Sequence, residues 1–252
     1  KKKINVVWLK RDLRTKDHEP LHEAEKSKLD YIIIYLFEPT QMSHHDSSER
    51  HHQFIYYSIL EMNKSLAKYK RKVHIFNSNA LKFFKFITER FKIETIFSYK
   101  ESGTKISWDR DIKVASYLKS MKIKWKEFNN QGIIRGSKNR VGWDKNWFVY
   151  ASSSLINNSY KTNKFNLKHT PFDFKINDFS YLKNYPNYFQ PPGERYALKY
   201  LNTFIKNRYK NYNFHISKPM DSRYSCGRIS TYLSWGNISL RQVYQTIKNA
   251  LN

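Results

Sequence analysis

The first half of this 252-residue chain predicts a doubly wound α/β fold around a five-stranded parallel sheet. Three observations carry the prediction. Five short β-rich runs recur along the chain, and helical patterns separate them. The first two runs are apolar almost throughout, as strands covered on both faces must be. The segments between runs repeat apolar residues three and four positions apart, which makes one apolar face on a helix. The expected strands are INVVWL (4–9), YIIIYLF (31–37), KVHIF (72–76), ETIFSY (94–99) and IKWKEF (123–128). Ile55, Ile59, Met62, Leu66 and Tyr69 make a first helical face. Leu81, Phe84, Ile87 and Phe91 make a second, and Trp108, Ile112, Ala115 and Leu118 a third. This alternation sets an α/β unit at 1–130.

Periodicity is lost over 131–192, which is rich in Asn, Lys, Ser and aromatic residues. So long a stretch reads as a connector anchored to the surface by its aromatic side chains. From Gly193 the pattern is helical again, with Ala197, Leu201, Phe204 and Ile205 on one side. The last helix has explicit start signals: Ser239 as cap, Gln242 completing a capping box, and Ile238 stapled to Val243. Leu240, Val243, Ile247 and Leu251 then form an apolar stripe.

Lys and Arg number 46 against 21 acidic residues, a formal charge of +25. Such an excess favours polyanionic partners through counterion release, although a lysine-rich solvated surface produces it too. The single cysteine, Cys226, excludes an internal disulfide or a cysteine zinc cluster and suits a reducing compartment. The N-terminal apolar run is short and interrupted by Asn5, so neither a signal segment nor a membrane span is expected. The expected setting is cytoplasmic, with no membrane partner.

The residues that could carry chemistry lie in loops. KRDLRTKDHEPL after the first strand lacks the glycine-rich turn of a dinucleotide site. It offers Lys10, Arg11, Asp12 and Arg14 where open α/β sheets place ligand crevices. Arg11 and Asp12 also read as an ion pair fixing the loop, and Asp17 as the cap of the next helix. SHHDSSERHHQ (43–53) has four histidines but no metal-ligand spacing, so no metal is assigned; a helix cap at Ser47 or Ser48 with solvated histidines accounts for it. In SCGRISTYLSWG, a helix is expected from Ser225 or Cys226 to about Trp235, with Gly236 ending it at positive φ. Its amides, the small residues Ser225, Cys226 and Gly227, and the Ser230 hydroxyl would suit a phosphate.

Five ordered segments resemble the photolyase/cryptochrome family: WLKRDLRTKDHEPL, SERHHQFIYYSI, ESGTKISWDRDIKV, GERYALKYLNTFI and SCGRISTYLSWGNISLRQVY. The chain departs from that pattern in three places. Cys226 and Gly227 stand where Thr and Ser are usual, Thr231 where proline is usual, and PPG replaces a glycine pair before Glu194. The resemblance implies an N-terminal α/β domain followed by the first helices of an all-α FAD-binding domain at 193–252. It assigns Ser225, Cys226, Gly227, Arg228, Ile229 and Ser230 to the flavin phosphates. It also implies a flavin-contacting tyrosine, best matched by Tyr212 with Tyr209 as competitor. Lys10, Arg11, Asp12, Arg14 and Glu101 become candidates for a cleft holding a folate or deazaflavin antenna.

The family's photolyases bind damaged DNA and split pyrimidine dimers by light-driven electron transfer from reduced FAD. Its cryptochromes use related photochemistry for signalling. A third reading is a flavin-free α/β module that contacts DNA. The catalytic residues of the family are expected beyond Asn252, in a C-terminal helical domain supplied separately or removed. This chain alone is therefore expected to retain FAD weakly, to be inactive in repair, and to expose the stripe at Val243, Ile247 and Leu251.

Overall fold

The computed structural model describes residues 1–165 and 167–251, without the Leu251 side chain. Strands β1 (Lys3–Leu9), β2 (Tyr31–Phe37), β3 (Val73–Asn77), β4 (Lys92–Tyr99) and β5 (Lys124–Phe128) form one sheet in the order β3-β2-β1-β4-β5. All four neighbouring pairs are parallel. Helices α1 (Glu19–Lys26), α2 (Pro39–Met42), α3 (Glu49–Leu66), α4 (Ala80–Arg90) and α5 (Lys105–Ser120) occupy the crossovers. Helix α6 (Trp143–Ser152) lies in the segment expected to lack regular structure. The chain continues through α7 (Glu194–Lys206), α8 (Tyr212–His215), α9 (Pro219–Ser225), α10 (Ser230–Ser234) and α11 (Leu240–Leu251).

The period-two alternation of the strands divides the core between two faces. Val7, Leu9, Ile33, Tyr35 and Phe37 pack beneath α1 and α3, with Ile55, Ile59, Met62 and Leu66 as the α3 contribution. Val6, Trp8, Ile32, Ile34 and Leu36 face α4 and α5 on the other side. A third cluster joins Phe54 of α3 to Ala197 and Leu201 of α7, Tyr232 of α10, and Ile238 and Val243. One side of α3 thus serves the sheet while another serves the C-terminal helices.

Three expectations change here. The buried face of α5 is Ser107, Asp111, Val114 and Leu118, while Trp108 and Ile112 are 45% and 56% exposed. Asp111 turns inward because buried Lys10 needs a carboxylate, which it meets at 3.1 Å. Val243 is buried in the third cluster and Ile247 packs beside it, so the α11 stripe is covered at these positions. The Leu251 side chain lies outside the described residues. The capping box of α11 forms as expected: Ser239 Oγ accepts from the Gln242 N–H at 3.0 Å, and Gln242 Oε1 from the Ser239 N–H at 2.9 Å.

Third, α9 ends at Ser225, Arg228 takes φ 55, and α10 begins only at Ser230. The left-handed residue prevents one continuous helix from 225. Gly236 has φ 70, the positive value its position requires. Among the described residues, no helix is long and apolar enough to cross a membrane.

Candidate functional site

The loop following β1 is mostly a fastening. Leu13 N–H donates to the Trp235 carbonyl at 3.0 Å, and Asn237 Nδ2 donates to the Leu13 carbonyl at 2.9 Å. Arg14 is buried and donates to the carbonyls of Asp17 and Gly236 and to the Tyr99 hydroxyl. Thr15 and Lys16 donate to the Glu194 carboxylate at the start of α7, at 2.7–3.1 Å. Asp17 accepts two guanidinium bonds from Arg241, at 3.0 and 2.6 Å. It therefore does not cap α1; His18 does, its Nδ1 accepting from the Leu21 N–H at 3.2 Å.

His18 Nε2 lies 2.8 Å from Asp12 Oδ2, so the ring is the neutral Nε2–H tautomer donating to that carboxylate. Burial lowers the His18 pKa, outweighing the pull of Asp12. Arg11 and Asp12 do not pair with one another: Arg11 Nε meets Glu101 at 3.2 Å, and Asp12 meets His18. Asp12 and Arg14 hold the loop and lie off the cavity wall.

Above the C-terminal ends of β1 and β2 opens a cavity of about 690 Å³. Its floor is Trp8, Leu9, Lys10 and Arg11 from the end of β1, with Tyr35, Leu36, Phe37 and Glu38 from β2. Glu101 and Arg110 close one side, the turn before α3 another, and Tyr188, Phe189 and Gln190 of the connector a third. Arg228, Ser230, Thr231 and Trp235 form the side facing β1. Lys10, Arg11 and Glu101 thus share one cavity with Arg228 and Ser230, two groups assigned to separate sites from the sequence. Tyr212, Ser225, Cys226, Gly227 and Ile229 are not on its wall.

The charges divide into a neutralised floor and an unbalanced rim. Arg110 reaches Glu38 at 2.8 Å and Glu101 at 2.5 Å, and lies 4.9 Å from the Trp8 ring. Burial works to raise the Glu101 pKa, but Arg110, Lys10 and Arg11 hold it below the ordinary carboxylate value. Burial depresses the Lys10 pKa despite Asp111. Arg50, Arg223 and Arg228 line the cavity with no carboxylate in ion-pair reach among the described residues. Arg50 lies over the Phe189 ring at 4.6 Å and Arg11 over the Trp235 ring at 4.7 Å. An anionic ligand with a flat aromatic body fits such walls.

Beside the cavity, the turn at 226–230 pairs its carbonyls but not its amides. Arg208 donates to the Cys226 and Gly227 carbonyls, and Gln190 Nε2 donates to the Arg228 carbonyl at 2.7 Å. The N–H groups of Gly227, Arg228, Ile229 and Ser230 have no protein acceptor among the described residues. With α10 only five residues long, its dipole contributes little, and these free amides carry the argument instead. Tyr212 packs edge-on to Phe204 at 5.8 Å, and Phe204 stands about 3.9 Å from where a Gly227 Cβ would be. Ser225 Oγ bonds His215 Nδ1 at 2.6 Å, so its hydroxyl is already engaged.

Sequence reasoning missed Glu194, Asn237 and Arg241 as the fastening, and Arg50, Arg110 and Arg223 as cavity cations. Glu194, Arg110 and Arg241 sit inside the segments that carried the resemblance. Pairing those segments with one another was the available signal.

A sequence profile described as DNA photolyase matches residues 5–138. The chain is 23% identical over 267 residues to the deoxyribodipyrimidine photo-lyase of Buchnera aphidicola, covering 98% of this chain and 54% of that protein. It is 29% identical over 101 residues to cryptochrome DASH of Synechocystis sp., covering 38% of this chain and 21% of that one. The chain thus spans about half the length of the curated photo-lyase it matches. Among solved structures, an archaeal photolyase from Sulfolobus tokodaii with two FAD molecules superposes with TM-score 0.74 at 20% identity, over 97% of this chain and 54% of that one. A Synechocystis cryptochrome gives 0.72 at 21% identity, over 98% of this chain and 56% of that one. The parallel sheet, the segments joined across the fastening and the profile match over more than half of the residues agree: the chain belongs to the DNA photolyase family.

Proposed function

We propose that this is a light-dependent DNA-repair flavoprotein of the pyrimidine-dimer photolyase kind. In this reading 1–130 is the antenna domain, 131–192 the interdomain connector and 193–252 the opening of the helical flavin-binding domain. The observation that carries it is the set of unclaimed amides at 227–230 beside Arg228, in a chain of this family. Those amides would take the diphosphate of FAD, with Cys226 and Ser225 behind them and Tyr212 supporting Phe204 against Gly227. Bound and reduced, FAD supplies the excited-state electron that opens a dimer. The chain's part is to hold the phosphates, keep the loop rigid through Arg208 and Gln190, and present a +25 surface to duplex DNA. Lys10, Arg11 and Glu101 would border the seat of a folate or deazaflavin antenna. The working compartment in this reading is the cytoplasm.

The test is illumination of the full-length protein with a duplex carrying a defined thymine dimer. Light-dependent loss of the dimer, with tighter binding to damaged than to intact DNA, is the expected result. Bound flavin without dimer loss or lesion preference would replace repair by cryptochrome-type signalling, the reading that the cryptochrome relatives favour. Salt-sensitive DNA binding without flavin absorbance would leave only the flavin-free module.

A further inference from the structure

The turn between α2 and α3 brings His44, His45 and Asp46 together at the edge of the cavity. One ligand atom from each lies within 4.8 Å of the others. His44 Nδ1 is 3.6 Å from Asp46 Oδ2, and His45 Nε2 is 3.4 Å from Asp46 Oδ1. The two imidazoles lie side by side, with centroids 4.1 Å apart. A tetrahedral cation with bonds of about 2.0–2.1 Å separates its ligand atoms by about 3.3–3.5 Å. The two measured edges have about that length but end on different oxygens of Asp46, so sharing one ion takes a turn of the Asp46 carboxylate and of the exposed His45 ring.

We infer that this turn binds a late first-row divalent transition cation, zinc or a close analogue, through His44, His45 and Asp46. Two imidazoles and one carboxylate suit zinc, copper or nickel and disfavour magnesium and calcium, which prefer oxygen. Three protein ligands leave a fourth position for water. His44 and Asp46 line the cavity, so an anionic group of a cavity occupant could take that position instead. The nearby His52 is not a ligand, because Ser47 Oγ at 2.7 Å and Tyr181 Oη at 2.9 Å engage both its ring nitrogens. Binding would displace one long hydrogen bond, from the Asp46 N–H to His44 Nδ1 at 3.3 Å. The histidine spacing gave no sign of the site because adjacent residues diverge on a helix, whereas in this turn they converge.

His45 and Asp46 are exposed (82% and 59% of the side chain), so substituting them does not disturb the core. The test is titration of the untagged chain with zinc, read by calorimetry and by competition with a chromophoric chelator. One equivalent should bind with micromolar affinity. His45→Ala and Asp46→Asn should each weaken binding by at least about tenfold, since losing even a hydrogen-bond partner of a ligand costs that much. His169→Ala, which removes the separate exposed His169–Asp173 pair, should leave the affinity unchanged. Affinity no better than millimolar, or affinity that His45→Ala and Asp46→Asn leave intact, would overturn the assignment.

Discussion

A Cβ on Gly236 would press on the Arg11 carbonyl and lie 2.5 Å from the Asp12 Cα, at a residue whose φ is +70°. Neither neighbour is a flexible side-chain end, so the strain has no cheap outlet. Gly236→Ala is therefore expected to cost about 2–4 kcal/mol in urea unfolding, from overpacking and a left-handed alanine together. His52 sets a different kind of sensitivity. Burial pushes its pKa down to about 4, from about 6.5 in an unfolded chain. Between those values the unfolded state takes up a proton that the folded state refuses. The stability held by neutral His52 is complete above about pH 6.5 and drains as the pH falls toward 4. Replacing it as His52→Gln should flatten the fall of the unfolding midpoint across that interval. An unchanged slope would assign the acid sensitivity to other groups, such as His18 or His74, whose pKa values burial also lowers.

Among the elements, α11 has the most local definition. Its reciprocal Ser239–Gln242 bonds satisfy amides that would otherwise be unpaired at a buried helix start. Ser239→Ala should destabilise the protein by about 1 kcal/mol, measured as a shift in the denaturation midpoint at constant slope. That box was legible in the sequence because its contacts lie within a few residues, and the five strands were legible as β-rich runs between helical patterns, the first two from burial on both sides. Helix α6 was not legible: its Trp147 and Phe148 pack on Tyr244, almost a hundred residues away, and no apolar period announces that contact. The face of α5 was misread for a related reason. A carboxylate at 111 is drawn inward by a lysine at 10, which a hydrophobic pattern does not record. The segment proposed to take the phosphates was assigned from its small residues and its resemblance. Its helix boundary was not, since the left-handed turn falls on an arginine rather than a glycine.

At the scale of the whole molecule, the β1 loop and the turn at 235–237 act as one joint. Asp17 and Arg241 are its charged centre, with side chains only 1% and 8% exposed. Asp17→Asn keeps a residue type tolerant of its φ of 51 but leaves the arginine without a counter-charge. Breaking one side of a buried pair costs about 3–5 kcal/mol. Urea unfolding of the variant, followed by far-UV circular dichroism and tryptophan emission, should show the C-terminal helices loosening before the sheet. Coincident transitions at an unshifted midpoint would mean that the third hydrophobic cluster alone holds the two parts together. Because the joint also fixes the side of the cavity that holds Arg228, it connects the stability of the fold to the proposed cofactor seat. The most direct test of that seat is amide chemical-shift mapping of the protein titrated with FAD and, separately, with riboflavin. The account predicts shifts concentrated at Gly227, Arg228, Ile229 and Ser230 with FAD, fading as salt is added and nearly absent with riboflavin. Equal responses to the two ligands, or FAD shifts that bypass these four amides, would contradict it.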